Sequence, residues 1–122
     1  MADNREYMTY KEELGSIQIA DEVVGSIAAG AAMEIEGVSG LSNGNVADLV
    51  SVKNKKLAAK GIRLEKGEDG AAVLTVCILV RYGCNVGDVG KKVQNAVYAA
   101  LEGMTGLKIG KVNVHVGGIS FN

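Results

Sequence analysis

Few side chains in this sequence are suited to nucleophilic, acid–base or metal chemistry near neutral pH: there are two cysteines and one histidine. His115 lies in "GKVNVHVGG", where Val112, Val114 and Val116 alternate with Lys111, Asn113 and His115. That alternation reads as a strand with an apolar side and a polar side, the imidazole on the polar one. A lone histidine with no CxxC pair makes no zinc set, and no Ser–His–Asp arrangement is suggested. Cys77 and Cys84 in "CILVRYGC" have an odd separation, which along a strand points the two thiols to opposite faces. A disulfide is therefore not expected, and both read as small apolar residues beside a sheet. The acidic pairs Glu34/Glu36 and Glu68/Asp69 fall at a helix end and a hairpin tip, where carboxylates are solvated. Catalytic residues, metal ligands and cofactors are all expected to be absent.

Two glycine-bearing stretches deserve a test as phosphate loops. "YGCNVGDVGKK" places Gly83, Gly87 and Gly90 between a strand and a helix, with a spacing that is neither GxGxxG nor GxxxxGK[ST]. Asp88 would set a negative charge where an anion should sit. An ordinary capped turn is the better reading. "GSIAAGAA" lacks the lysine and the Ser/Thr of a Walker loop and reads as a packing helix.

Composition narrows the function classes further. The 122 residues suit one domain, and 48% are apolar, enough for a core. The longest apolar runs fall far short of the roughly 20 residues of a membrane-spanning helix. "MADNREYMTYKEEL" is polar and charged, without the apolar stretch of a secretory signal, so a cytoplasmic location is expected. A net charge of −1 provides no global field for nucleic acid, and 4% aromatics without tryptophan provide no base-stacking platform. The core must be aliphatic. With 17 glycines and no proline, glycine has to punctuate the turns.

Along the chain, residues 1–14 read as a polar tail in which Tyr7, Tyr10 and Leu14 are spaced for one face of a helix. Residues 15–122 read as a single domain. "GSIQIADEVV" suggests a short strand and a helix start with Asp21 and Glu22 in the first turn; Val24, Ile27, Ala28, Ala31 and Ile35 keep helical spacing. Gly25 and Gly30 each cost that helix about 1 kcal/mol against alanine, which close packing must offset. "GVSGL" is a brief extended segment. "SNGNVADLVSVKNKKLAAKG" is irregular, with one helical turn near Val46–Val50 and a concentration of Lys53, Lys55, Lys56 and Lys60. "GIRLEKGEDGAAVLTVCILVRYG" is a hairpin around an acidic glycine turn. Its second strand is apolar on both faces, as a central strand should be. Val86, Val89, Val93, Val97, Ala100, Leu101 and Met104 make one stripe of a second helix, with Gly106 as its C-cap. Leu107–Val116 is the last strand, and Gly110 is the place for a bulge that resets its register. The order β-α-β-β-β-α-β predicts an α+β two-layer sandwich, with a mixed, antiparallel-rich sheet and two amphipathic helices on one face.

Several segments in this order, "IADEVV", "EIEGVSGLS", "RYG", "MTGL" and "VNVHVGGI", resemble the alkaline shock protein family of envelope stress proteins from Gram-positive bacteria. The resemblance covers roughly residues 15–121. It implies a non-enzymatic cytoplasmic protein placed near the membrane by a membrane-anchored protein partner; some relatives self-assemble, and some are linked to control of fatty-acid synthesis. The family pattern has no catalytic residues to carry over. This chain departs from it at Gly25, Gly30, Gly87 and Gly90, where better helix formers are usual.

The residues agree with that picture at one place. Val73, Thr75, Cys77 and Leu79 form a strip on the sheet face away from the helices, bordered by Arg63, Glu65, Lys111, Asn113 and His115. An apolar centre with a polar rim is the anatomy of an interface, unless the tail folds back and covers it. A scaffold or assembly protein of the envelope stress response, working as a homo-oligomer or with a partner, is the leading reading. A regulatory module acting on a cytosolic enzyme comes second. A weak binder of anionic surfaces or nucleic acid through Lys53, Lys55, Lys56 and Lys60 is third.

Overall fold

The apolar run "AVLTVCILVR" forms the strand around which the domain is built. The computed structural model describes residues 7–12, 14–42, 61–67 and 69–121. The elements run β1 (Tyr7–Glu12), β2 (Gly15–Ala20), α1 (Asp21–Met33), β3 (Val38–Leu41), β4 (Ile62–Lys66), β5 (Ala72–Arg81), α2 (Val86–Thr105) and β6 (Ile109–Ser120). β5 is paired on both edges. β6 runs parallel along one of them. β4 and β3 share the other end to end, both antiparallel, β4 against Ala72–Val76 and β3 against Ile78–Val80. A parallel pair needs a crossover, which α2 provides. The domain is therefore α+β: a four-stranded, mostly antiparallel sheet with α1 and α2 packed together on one face.

The core lies between those layers. Ala72, Leu74, Val76, Ile78 and Val80 of β5 meet Ile62 of β4, Val24, Ala28 and Ala32 of α1, and Val89, Val93, Val97 and Leu101 of α2. All are aliphatic, and the alternation along β5 is complete: each even-numbered residue is buried and each odd one is half-buried or exposed. The stripe on α2 is narrower than its spacing suggests. Val86 and Met104, at its ends, are 39% and 71% exposed. Thr105 instead is buried there. Its hydroxyl donates to Leu101 O (2.6 Å) and accepts from Leu107 N (3.1 Å), which carries the chain out of α2 toward β6. Gly106 follows as a left-handed cap at φ 71°, as expected. At the other end Asn85 accepts from Asp88 N (3.0 Å), so the helix start is closed by its own side chain.

The N-terminal segment departs from expectation. The backbone of residues 7–12 is a strand, not a helical face, and it pairs antiparallel with β2 so that Tyr10 stands opposite Ile17. Gly15, at φ 142°, helps turn the chain between the two strands. The hairpin is a separate two-stranded sheet, and it meets the domain mainly at α1, where Ile19 packs on the core. Leu14 at its tip is fully exposed. The helical turn expected near Val46–Val50 lies outside the described residues, as do Glu68 and the four lysines 53, 55, 56 and 60.

Not every helical glycine is needed for packing. Gly25 is buried on the face of α1 that carries Val24 and Ala28, but a Cβ at Gly30 or Gly90 would meet nothing within 4 Å. Gly30→Ala and Gly90→Ala are therefore each expected to stabilise the domain by about 0.5–1 kcal/mol. Thermal melts would show this as a rise of a few degrees apiece; a fall in either would mean that the helix surface there is not open.

The β4–β5 turn carries a pH dependence. Asp69 accepts from Ala71 N (3.1 Å) and pairs with Lys108 Nζ (3.3 Å). The Ala71 N–H, and then the Lys108 ammonium, hold its carboxyl below the ordinary aspartate value. A depressed folded-state pKa contributes stability above the unfolded-state pKa, and that stability is lost as pH falls through the folded value. An NMR titration of Lys108→Ala should show Asp69 titrating closer to normal, with the Ala71 bond keeping part of the shift.

Candidate interaction surface

On the face away from the helices, β5 presents Val73, Thr75, Cys77 and Leu79, each half-buried by its neighbours in the sheet. Register assigns their surroundings. Val73 lies between Glu65 of β4 and Lys111 of β6, and Thr75 between Arg63 and Asn113. Cys77 stands beside His115. The sequence-derived strip and rim are thus brought together on one face, with Lys111, Asn113 and His115 exposed. Gly110 does reset the register of β6, the shift falling between the partners of Ala72 and Val73. Ile109 and Val112 both turn to the core as a result.

A second bulge was not foreseen. Between the partners of Ile78 and Leu79 the register shifts again, and β6 continues to Ser120 instead of stopping at Val116. "VGG" was the available signal, since Gly117 gives the extra residue. Its consequence is that Leu79 is flanked by glycine on both sides, Gly40 of β3 and Gly118 of β6. A Cβ on Gly118 would lie 3.3 Å from Leu79 Cδ2, and one on Gly40 would lie 4.0 Å from Cδ1. The leucine spreads over both glycines and is half-buried. It sits near one end of the strip, not at its centre. The face is therefore graded, with charged and amide groups around Val73 and Thr75 and an apolar projection at Leu79.

Below Cys77 the sheet has a junction. Cys77 O accepts from Ser42 N (3.0 Å), just past β3, and Cys77 N donates to Gly61 O (2.8 Å), just before β4. The chain leaves the sheet and re-enters it at this one point. Gly61, at φ 88°, is the only residue type that fits: a Cβ there would lie 2.5 Å from Ser42 O and 3.1 Å from Cys77 O. Neither Cys77 nor Cys84 is in a disulfide; the first lies on the open face and the second packs against the core beside Gly37. Glu34, Glu36 and Asp69 are exposed, as surface carboxylates should be.

The sequence profile of the alkaline shock protein 23 family, described as having a cell envelope-related function, matches residues 9–121. The chain belongs to this family. Among its relatives in the family is YqhY of Bacillus subtilis strain 168, 32% identical over 109 residues, which are 89% of this chain and 80% of YqhY. Spy1535 of Streptococcus pyogenes serotype M6 is 34% identical over 108 residues, 88% of this chain and 81% of that protein. Both carry the name "uncharacterized protein", so this alkaline shock family member takes no specific activity from them. Solved MamM CTD variants are more distant, at 18% identity and a TM-score of 0.49 over 80% of this chain and 96% of theirs. No helix among the described residues is long and apolar enough to cross a membrane.

Proposed function

We propose that this protein is a non-enzymatic scaffold of the cell-envelope stress response, working in the cytoplasm through protein–protein contacts on the open sheet face. The observation that carries the proposal is Leu79, an aliphatic side chain raised over two glycines on a face that no described element covers. Family membership supports the envelope setting. The side chains around the strip support contact over turnover. A thiol–imidazole pair such as Cys77 and His115 needs an orienting group and an enclosed oxyanion site to act as a nucleophile, and these two project from a sheet surface rimmed by Lys111 and Asn113. The partner is a second copy of the chain or a membrane-anchored protein that holds the scaffold near the bilayer.

Burying the strip removes apolar area worth about 25 cal/mol per Å², part of which is offset by the ordering that association requires. Leu79→Lys should keep the fold and weaken assembly or partner capture at least tenfold. Sedimentation and pull-down from the native cell measure both. A variant that keeps the wild-type mass and the wild-type partner shows that this face is not the interface.

A further inference from the structure

β6 presents an edge that no described strand covers. It is 12 residues long, about twice the usual strand, and it pairs with β5 on one side alone. The hydrogen bonds of β5 show which peptide groups of β6 face outward. Even-numbered residues bond toward β6: Ala72 N donates to Lys108 O (2.9 Å) and, just past the strand, Tyr82 N to Ser120 O (2.7 Å). Odd-numbered ones bond to the opposite edge, Cys77 N to Gly61 O and Arg81 N to Gly37 O, both 2.8 Å. With this register a parallel ladder turns the peptide groups of Lys111, Asn113 and His115 toward β5 and those of Val112, Val114 and Val116 away from it. A bond from Gln94 Nε2 to Val112 O (3.0 Å) confirms the outer side, because α2 reaches over the edge to occupy that carbonyl. Val114 and Val116 receive no such cover among the described residues.

We infer that β6 pairs antiparallel with β6 of a second copy, about a two-fold axis at Val114. Monomeric proteins blunt edges with proline, short strands or bulges. This chain has no proline, and the stretch between the two bulges, Lys111–Val116, is regular. The stretch is also self-complementary. With Val114 on the axis, Val112 faces Val116 of the second copy, and Asn113 faces His115. That second pair is of the non-hydrogen-bonded kind, in which side chains approach closest and an amide can meet an imidazole. Lys111 faces Gly117, which leaves its ammonium in water. A slip of two residues would instead set Lys111 against His115, a basic pair. Val112 O exchanges its bond to Gln94 for one to Val116 N of the second copy. The product is one continuous sheet across two copies, with both open faces, and so both Leu79 side chains, on the same side.

The pairing is independent of contact through the open face, and one variant separates them. Leu79→Lys protein is followed by sedimentation and by amide hydrogen exchange at rising concentration. The expected mass is twice that of the chain, with exchange at Val114 and Val116 slowing at least tenfold while Gly83, in an exposed turn, is unchanged. Val114→Pro removes an outward N–H and should return a folded monomer, its helicity checked by circular dichroism. If that variant does not fold, Gln94→Ala gives the converse, since freeing Val112 O should tighten the dimer at least threefold. Exchange at Val114 and Val116 that is independent of concentration overturns the inference, as does a folded Val114→Pro dimer or a Gln94→Ala dimer that is no tighter. A Leu79→Lys monomer would overturn it while leaving the open-face reading intact.

Discussion

Replacing Gly61 with alanine is expected to cost the domain about 3 kcal/mol, a large effect for one methyl group. Two terms add. A non-glycine residue held at positive φ is strained by roughly 1–2 kcal/mol, and Gly61 sits at φ 88°. The new Cβ would also press on Ser42 O and Cys77 O, at 2.5 and 3.1 Å. Both are backbone atoms of the junction where β3 ends and β4 begins, so relief requires giving up the bond to Cys77 O or the one from Cys77 N. Gly37→Ala makes a useful comparison. Its φ is 100°, but its close neighbour is Val89 Cγ2 at 2.8 Å, a side-chain atom that can shift with α2. The loss there should be smaller. Urea titrations give both values; a Gly61→Ala loss under about 1 kcal/mol would mean that the junction opens without penalty.

Leu74→Lys is expected to unfold the domain, whereas Leu79→Lys, on the same strand, is not. Leu74 is entirely buried in the aliphatic core between the sheet and the helices. An ammonium placed there has no partner and no water, a loss of more than about 4 kcal/mol in a domain whose whole stability is of order 5–15 kcal/mol. Leu79 points to the other side, beside Gly40 and Gly118, where a lysine can run its stem over the glycines and keep its charge in solvent. Its effect on stability should stay within about 1 kcal/mol. Circular dichroism and thermal melts separate the two. Equal stability in both variants, or the reverse order, means that the faces of β5 are exchanged.

Much of that face assignment was legible in the sequence, because alternation along a strand is a strict period of two. The residues of β5 that carry the strip, and the valines of β6, followed from it directly. So did the bulge at Gly110, since Ile109 and Val112 have opposite parity and both needed burial. The helix ends were legible too, Gly106 from its place after the last periodic residue. Long-range pairing was not. Nothing local says that β3 and β4 share one edge of β5, or that β6 lies parallel to β5. Those arrangements are settled by the crossover through α2 and by the meeting of Ser42 and Gly61 at Cys77. The glycines beside Leu79 were visible as residues but not as neighbours. The spacing of Tyr7, Tyr10 and Leu14 fitted a helix, yet β2 offered a strand partner, and pairing outweighed that weak local preference. Val86 and Met104 fitted the stripe of α2 by spacing but lie beyond the layer that covers it.

The most direct test of the open face as an interface is the alkylation rate of Cys77, with Cys84 as the internal reference. Both are half-buried and outside any disulfide, but they lie on opposite sides of the sheet. In dilute protein each should react at its own rate. As assembly proceeds, or as a captured partner is added, alkylation of Cys77 should slow at least tenfold while that of Cys84 stays constant. Cys77 reacting at one rate in the dilute and the fully assembled protein would contradict the account.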